Sequence, residues 1–365
     1  MLSIPLIYRR ALIEGYAMGK AILRIIAGTL FITVFASADM EVVHSDYGTV
    51  NVAGYCIGRY DYCRDGVEPG SFSIRAITPI VYGDIFEYAR YYFLADLSKP
   101  DVLIDGYGAL KVIPYTEIKF GQFLVPFGLE TNQSTSKILC IDRSLISTRV
   151  APAPPARDIG AMAEVGYCSE NSPFYFRFGA AVVNGTGVNT RDDNNHKDLA
   201  ARVSAKPLPF GFFGCLTAEG YFYYGKVNVE GAERNVGDRV LYGAAVALDK
   251  PRFSVQGEYM KGSTDTEPVP GFPYTLETDG FYVQGSYKQR TPLPWLHTIE
   301  PLARYEIYNP DQHTPDDRQA VITAGVNIHF AEPHRCKLMV NYSWWDEEGT
   351  ELNNDLIAAQ FSVRF

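Results

Sequence analysis

Past residue 39 the chain is a succession of segments of about ten residues in which apolar and polar side chains alternate. No apolar run there reaches the ~18 residues that a membrane-spanning helix needs. Sixteen such segments can be placed, at 48–60, 71–82, 85–97, 102–113, 116–127, 158–168, 173–184, 198–206, 211–224, 238–250, 252–261, 277–289, 297–308, 318–329, 334–345 and 355–365. Side chains on a strand point alternately to its two faces. The last segment accordingly has Ile357, Ala359, Phe361, Val363 and Phe365 on one face, and Ala358, Gln360, Ser362 and Arg364 on the other. One face suits lipid and the other suits water.

The breaks carry a second signal. Those after even-numbered segments are short. Those after odd-numbered ones are mostly long and polar, at 61–70, 128–157, 185–197, 225–237, 262–276, 309–317 and 346–354, with only 98–101 brief. An up-and-down barrel sorts its connections in this way, and only a closed barrel puts strands across lipid without orphaned backbone groups. The expected fold is all-β: a transmembrane up-and-down antiparallel β-barrel of about 16 strands. Aromatics near segment ends, Tyr82, Phe127, Trp295, Tyr308, Phe330, Trp344 and Trp345, read as girdles at the two membrane interfaces.

Composition agrees. With 25 Tyr and 21 Phe but 21% charged residues, the chain is too polar for a helical membrane protein and unusually aromatic for a soluble one. Lys20 and Arg24, the apolar run 25–35 and Ala36-Ser37-Ala38 have the parts of a secretory signal, so residues 1–38 are expected to be removed. That pattern fits best if translation starts at Met18. The signal region is basic, so the net charge of −9 becomes −12 on residues 39–365, which argues against a nucleic-acid partner. The six cysteines form no Cys-x-x-Cys pair and suggest no zinc site. Cys56 and Cys63 could bridge around a hairpin end, or all six could remain free thiols. No nucleophile elbow, His-Glu-x-x-His helix or phosphate-binding glycine loop is present, and the Asp-rich stretch 191–195 lacks the Gly and Glu of a calcium loop. The sequence therefore suggests no enzyme, metal or cofactor.

Five blocks, Phe120–Glu130, Ile141–Ile146, Arg157–Gly160, Asn184–Gly187 and Asp198–Arg202, resemble in their order the phosphate-selective porin O and P family. The resemblance implies a trimeric outer-membrane channel whose third external loop, here 128–157, folds into the lumen and narrows it. It also implies arginines that lead an anion inward and lysines that help bind it, although no arginine ladder can be matched here rung by rung.

Alternation puts Arg75, Arg90, Lys111, Lys119, Arg177, Arg202, Lys288, Arg304, Lys337 and Arg364 on water-facing sides, together with Asp105, Glu117, Glu164, Glu219, Glu258, Glu300 and Glu306. The wall is mixed, and Arg304 near Glu300 or Glu306 reads as a structural brace. The loop is less balanced: Lys137, Arg143, Arg149 and Arg157 face Asp142 alone over residues 131–157, a net +3. These four are the candidate constriction residues, because rings of cationic side chains favour anions. The expected function is passive diffusion of small anions, with phosphate the anion that the resemblance names. The alternatives are a general, weakly selective porin and a non-conducting structural or adhesive barrel. Membrane lipid is an expected partner, and the acidic outer loops at 311–317 and 346–351 are expected to face lipopolysaccharide or divalent cations.

Overall fold

The computed structural model describes residues 40–63, 70–152, 156–168, 175–206, 215–229, 236–269, 272–331, 335–349 and 354–365. The expected signal segment lies outside the described residues. Sixteen antiparallel strands form the wall: β1 (Gly48–Cys63), β2 (Ser71–Ile85), β3 (Ala89–Ala95), β4 (Leu103–Ile113), β5 (Thr116–Leu124), β6 (Arg157–Cys168), β7 (Tyr175–Val183) and β8 (Asp198–Lys206). They continue with β9 (Cys215–Asn228), β10 (Val236–Asp249), β11 (Phe253–Val269), β12 (Phe272–Tyr287), β13 (Thr298–Asn309), β14 (Gln319–His329), β15 (Cys336–Glu347) and β16 (Leu356–Arg364). A short arm, Met40–Ser45, pairs with the start of β1.

Each strand pairs with its sequence neighbours, and β16 returns to β1, with Leu356 opposite Cys63 and Arg364 opposite Tyr55. Phe365 completes the seam: its N–H donates to the Gly54 carbonyl at 2.9 Å and its carbonyl accepts from the Gly54 N–H at 2.8 Å. The barrel is closed, so no strand edge faces lipid. The two faces separate as alternation dictates. Along β13, Thr298, Glu300, Leu302, Arg304 and Glu306 are buried, while Ile299, Pro301, Ala303 and Tyr305 are exposed.

Three expectations change. The stretch 262–276 is no loop, because β11 runs to Val269 and β12 begins at Phe272, so these strands extend beyond the ~10 residues that a membrane-crossing strand needs. Cys56 and Cys63 lie on one strand and are free thiols. Seven residues of extended chain separate their Cα atoms by ~23 Å, far beyond disulfide reach. Among the expected girdle residues, Trp295 and Trp344 are exposed, but Phe127 is fully buried and packs edge-on against Tyr221 at 4.7 Å.

That last difference locates the core. The buried apolar cluster joins Phe123, Val125, Phe127, Leu129, Ile146 and Val150 to Ala181, Tyr221, Leu241, Met260 and Tyr282 of the inner wall. In a barrel whose outer face is solvated by lipid, the segment between β5 and β6 is what covers the apolar positions of the inner face. Burying each large apolar side chain contributes ~1.5–3 kcal/mol.

Candidate functional site: the lumen and the segment between β5 and β6

The segment leaves β5 at Val125 and turns at Gly128, whose φ of +80° and crowding by the Thr131 hydroxyl and the Met260 methyl leave no room for a side chain. Glu258 of β11 holds this turn. Its carboxylate accepts from the backbone N–H groups of Leu129 (2.6 Å) and Glu130 (3.2 Å), and from the hydroxyls of Tyr221 (2.8 Å) and Tyr282 (2.9 Å). A short helix, α1 (Leu145–Arg149), follows, capped by the Ser144 hydroxyl. Glu306 of β13 accepts the Leu145 N–H at 2.6 Å.

Between turn and helix, residues 138–142 bond to strands on both sides of the seam. Lys337 Nζ donates to the Ile138 carbonyl (3.3 Å), Asn327 Nδ2 to the Leu139 carbonyl (3.0 Å) and Arg75 Nη1 to the Ile141 carbonyl (2.6 Å), while Asn341 Oδ1 accepts the Ile141 N–H (2.6 Å). Asp142 is gripped by Arg59 through two bonds, of 2.5 and 2.8 Å, with Arg75 3.6 Å away. Burial works against the charged form of Asp142, but the hydrogen bond and charge of Arg59, with Arg75 and Arg304 nearby, outweigh it and hold this carboxyl below the usual aspartate range. Burial pushes the neighbouring Cys140 thiol up to about 12, so it stays protonated and inert.

The four candidate loop cations therefore part company. Arg143 turns back onto the carbonyls of Glu130 and Gln133. Arg157 opens β6 and pairs with Asp105 of β4 at 2.9 Å. Lys137 and Arg149 are exposed. Counting Glu130, which is fully buried and 3.7 Å from Arg304, lowers the net +3 of residues 131–157 to +2. Arg59 meets Asp142 across 83 residues of sequence, and no local pattern marks it as a partner of the loop.

The candidate wall cations are largely paired. Arg90 and Lys111 share Asp84 (2.9 and 2.7 Å), Lys119 and Arg177 share Glu164 (3.0 and 2.9 Å), Arg202 meets Glu219 (2.7 Å) and Arg304 meets Glu306 (2.9 Å). Lys288 lies 3.9 Å from Asp249, Lys337 is fully buried against the Ile138 carbonyl, and Arg75 is taken up by Gln360 and the loop. Adjacent strands thus cancel most of each other's charge.

Among the described residues, two cavities open inside the wall. One of about 760 Å³ is lined by Tyr55, Arg75, Thr78, Leu94, Asp96 and Arg157 and reaches Thr186–Val188 at the outer loops. The other, of about 530 Å³, is lined by Tyr92, Asp105, Tyr107, Lys119, Arg177, Lys206 and Glu219 and reaches the opposite strand ends. Asp105 lines one and Arg157 the other, so their ion pair stands between the two.

Residues 224–365 match the model of the family described as phosphate-selective porin O and P. No curated protein matches the chain. Among solved structures it is similar to the trimer form of OmpT, an outer-membrane protein of Vibrio cholerae, with 13% identity over 88% of this chain and 100% of that one, and a TM-score of 0.61. It is also similar to an anion-selective porin from Comamonas acidovorans (13% identity, 87% and 99% covered, TM-score 0.60) and to the outer-membrane channel DcaP of Acinetobacter baumannii (10% identity, 90% and 100% covered, TM-score 0.58). At such identities the likeness is one of fold. The chain is an integral outer-membrane porin whose residues 224–365 match the phosphate-selective porin O and P family.

Proposed function

We propose that the protein carries small anions by passive diffusion along the β1–β9 side of the lumen, with residues 128–157 filling the rest and setting the bore, and that it works as a homotrimer rather than as an enzyme. The observation that carries the reading is the pair of cavities meeting at Arg157 and Asp105, since a solute crossing from one to the other passes that ion pair. The inner cavity favours anions. Lys119, Arg177, Arg202 and Lys206 outnumber Glu164 and Glu219 there, while Asp105 is matched by Arg157. A low-dielectric wall concentrates that positive potential. The trimer form described for OmpT supports the assembly.

Reversal potentials across planar bilayers under a potassium chloride gradient test this. Chloride is expected to be preferred. Replacing Lys137 and Arg149 together by Gln should lower the preference by about twofold, because these two charges are exposed in the narrowed stretch. A preference for potassium overturns the anion assignment. A second reading, a general porin of weak selectivity, is favoured by the pairing of most wall cations with carboxylates on the same or a neighbouring strand. Phosphate then competes with chloride no better than its charge dictates.

A further inference from the structure

We infer that the inner cavity is a binding site for aromatic monocarboxylates, solutes with one planar ring and one carboxylate. Its wall offers two kinds of surface that a bare inorganic anion cannot use together. The first is apolar and flat. Tyr92 and Tyr107 stack with ring centroids 5.3 Å apart and planes at 17°, and Phe123 and Met162 line the same cavity. Tyr107 also has Lys119 Nζ 5.4 Å from its ring centre, so a solute ring meets this row edge to face, and the row gives nothing to phosphate, which has no apolar surface.

The second surface is cationic and only part neutralised. Glu164 is shared by Lys119 and Arg177, so one carboxylate serves two cations, and the Arg177 side chain is half exposed. Lys206 forms no ion pair among the described residues. Tyr175 and Lys206 are cross-strand partners on β7 and β8, and the Arg177 guanidinium lies 5.4 Å from the centre of the Tyr175 ring. A carboxylate accepting from Arg177 and Lys206 therefore sits beside a third tyrosine, in a cavity of about 530 Å³ that also contains the Tyr92–Tyr107 stack. The geometry asks for a ligand with a charge at one end and a ring at the other.

The assignment rests on the diffusion reading, since a solute must enter the lumen to reach this cavity. Two measurements on the intact refolded porin keep the two apart. In single channels carrying chloride, benzoate is expected to reach half-block at a concentration about tenfold below that of acetate or inorganic phosphate. Tyr107→Leu should erase this advantage, Tyr107→Phe should keep it, and Arg177→Gln with Lys206→Gln should weaken all three anions. Equilibrium dialysis with labelled benzoate reads the site without any current. Binding by a barrel that does not conduct supports the site and sinks the diffusion reading. Conduction with benzoate no better than acetate in both assays, or an unchanged benzoate advantage in Tyr107→Leu, overturns the site and leaves the channel standing.

Discussion

Arg59 and Arg75 reach Asp142 from adjacent strands; removing that carboxylate leaves Arg59 with Asp61 at 2.7 Å, but leaves Arg75 to the uncharged oxygens of Ile141 and Gln360. Stripping one partner from a part-buried pair costs more than the pair contributes, because the remaining charge stays desolvated. Asp142→Asn is therefore expected to loosen residues 138–142 from the wall and to raise anion preference, read as excess open-channel noise together with a larger chloride reversal potential. Acid should mimic the first effect. The Asp142 carboxyl is held below its ordinary range, so the grip is complete above the unfolded aspartate value of about 3.9 and is lost only as pH falls through the lower folded value. Noise that rises already at pH 6 would contradict this origin.

At the scale of elements, α1 rests on the inner face of β12 because Gly280 has no side chain. A Cβ there would stand 2.4 Å from the Ile307 carbonyl and 2.5 Å from Ile146 Cγ2 of the helix. Gly280→Ala should displace α1 or strain the wall by about 1–3 kcal/mol, the usual range for overpacking. The expected signs are a lower melting temperature and altered conductance, with the barrel intact on semi-native gels. An unchanged conductance would mean that α1 does not bear on the bore. The strand at the segment's entry was legible in the sequence to within a few residues, since β5 ends at Leu124 and the aromatic run suggested Phe127. The path of the segment across the lumen was not. It depends on Glu258, Asn327 and Asn341, each more than a hundred residues downstream.

On the scale of the whole molecule, closure is the step that every other feature presupposes. Deleting residues 356–365 removes β16 and exposes the paired edges of β1 and β15, so no heat-modifiable barrel should form. A folded band from that truncation would imply that β15 can close on β1 directly. Closure also explains the charge pattern. Cations and carboxylates on neighbouring strands face the same enclosed volume, and pairs such as Arg202 with Glu219 keep it from carrying a large single-sign charge.

The number of strands and their two faces follow from the sequence by itself, because period-two alternation is a local property of the chain, whereas the connection expected at 262–276 proved to be strand. Inward-facing positions such as Arg304 and Lys337 follow for the same reason. Only the tertiary structure decided which charges meet. Asp142 lies 83 residues from Arg59, Arg304 is buried against Glu130, and Arg157 closes onto Asp105, so the loop's carboxylates are taken up by wall arginines while one of its own cations is neutralised by a wall carboxylate. What remains exposed, Lys137 and Arg149, is a remainder that no local count could have found, because electrostatic cancellation is set by distance in space.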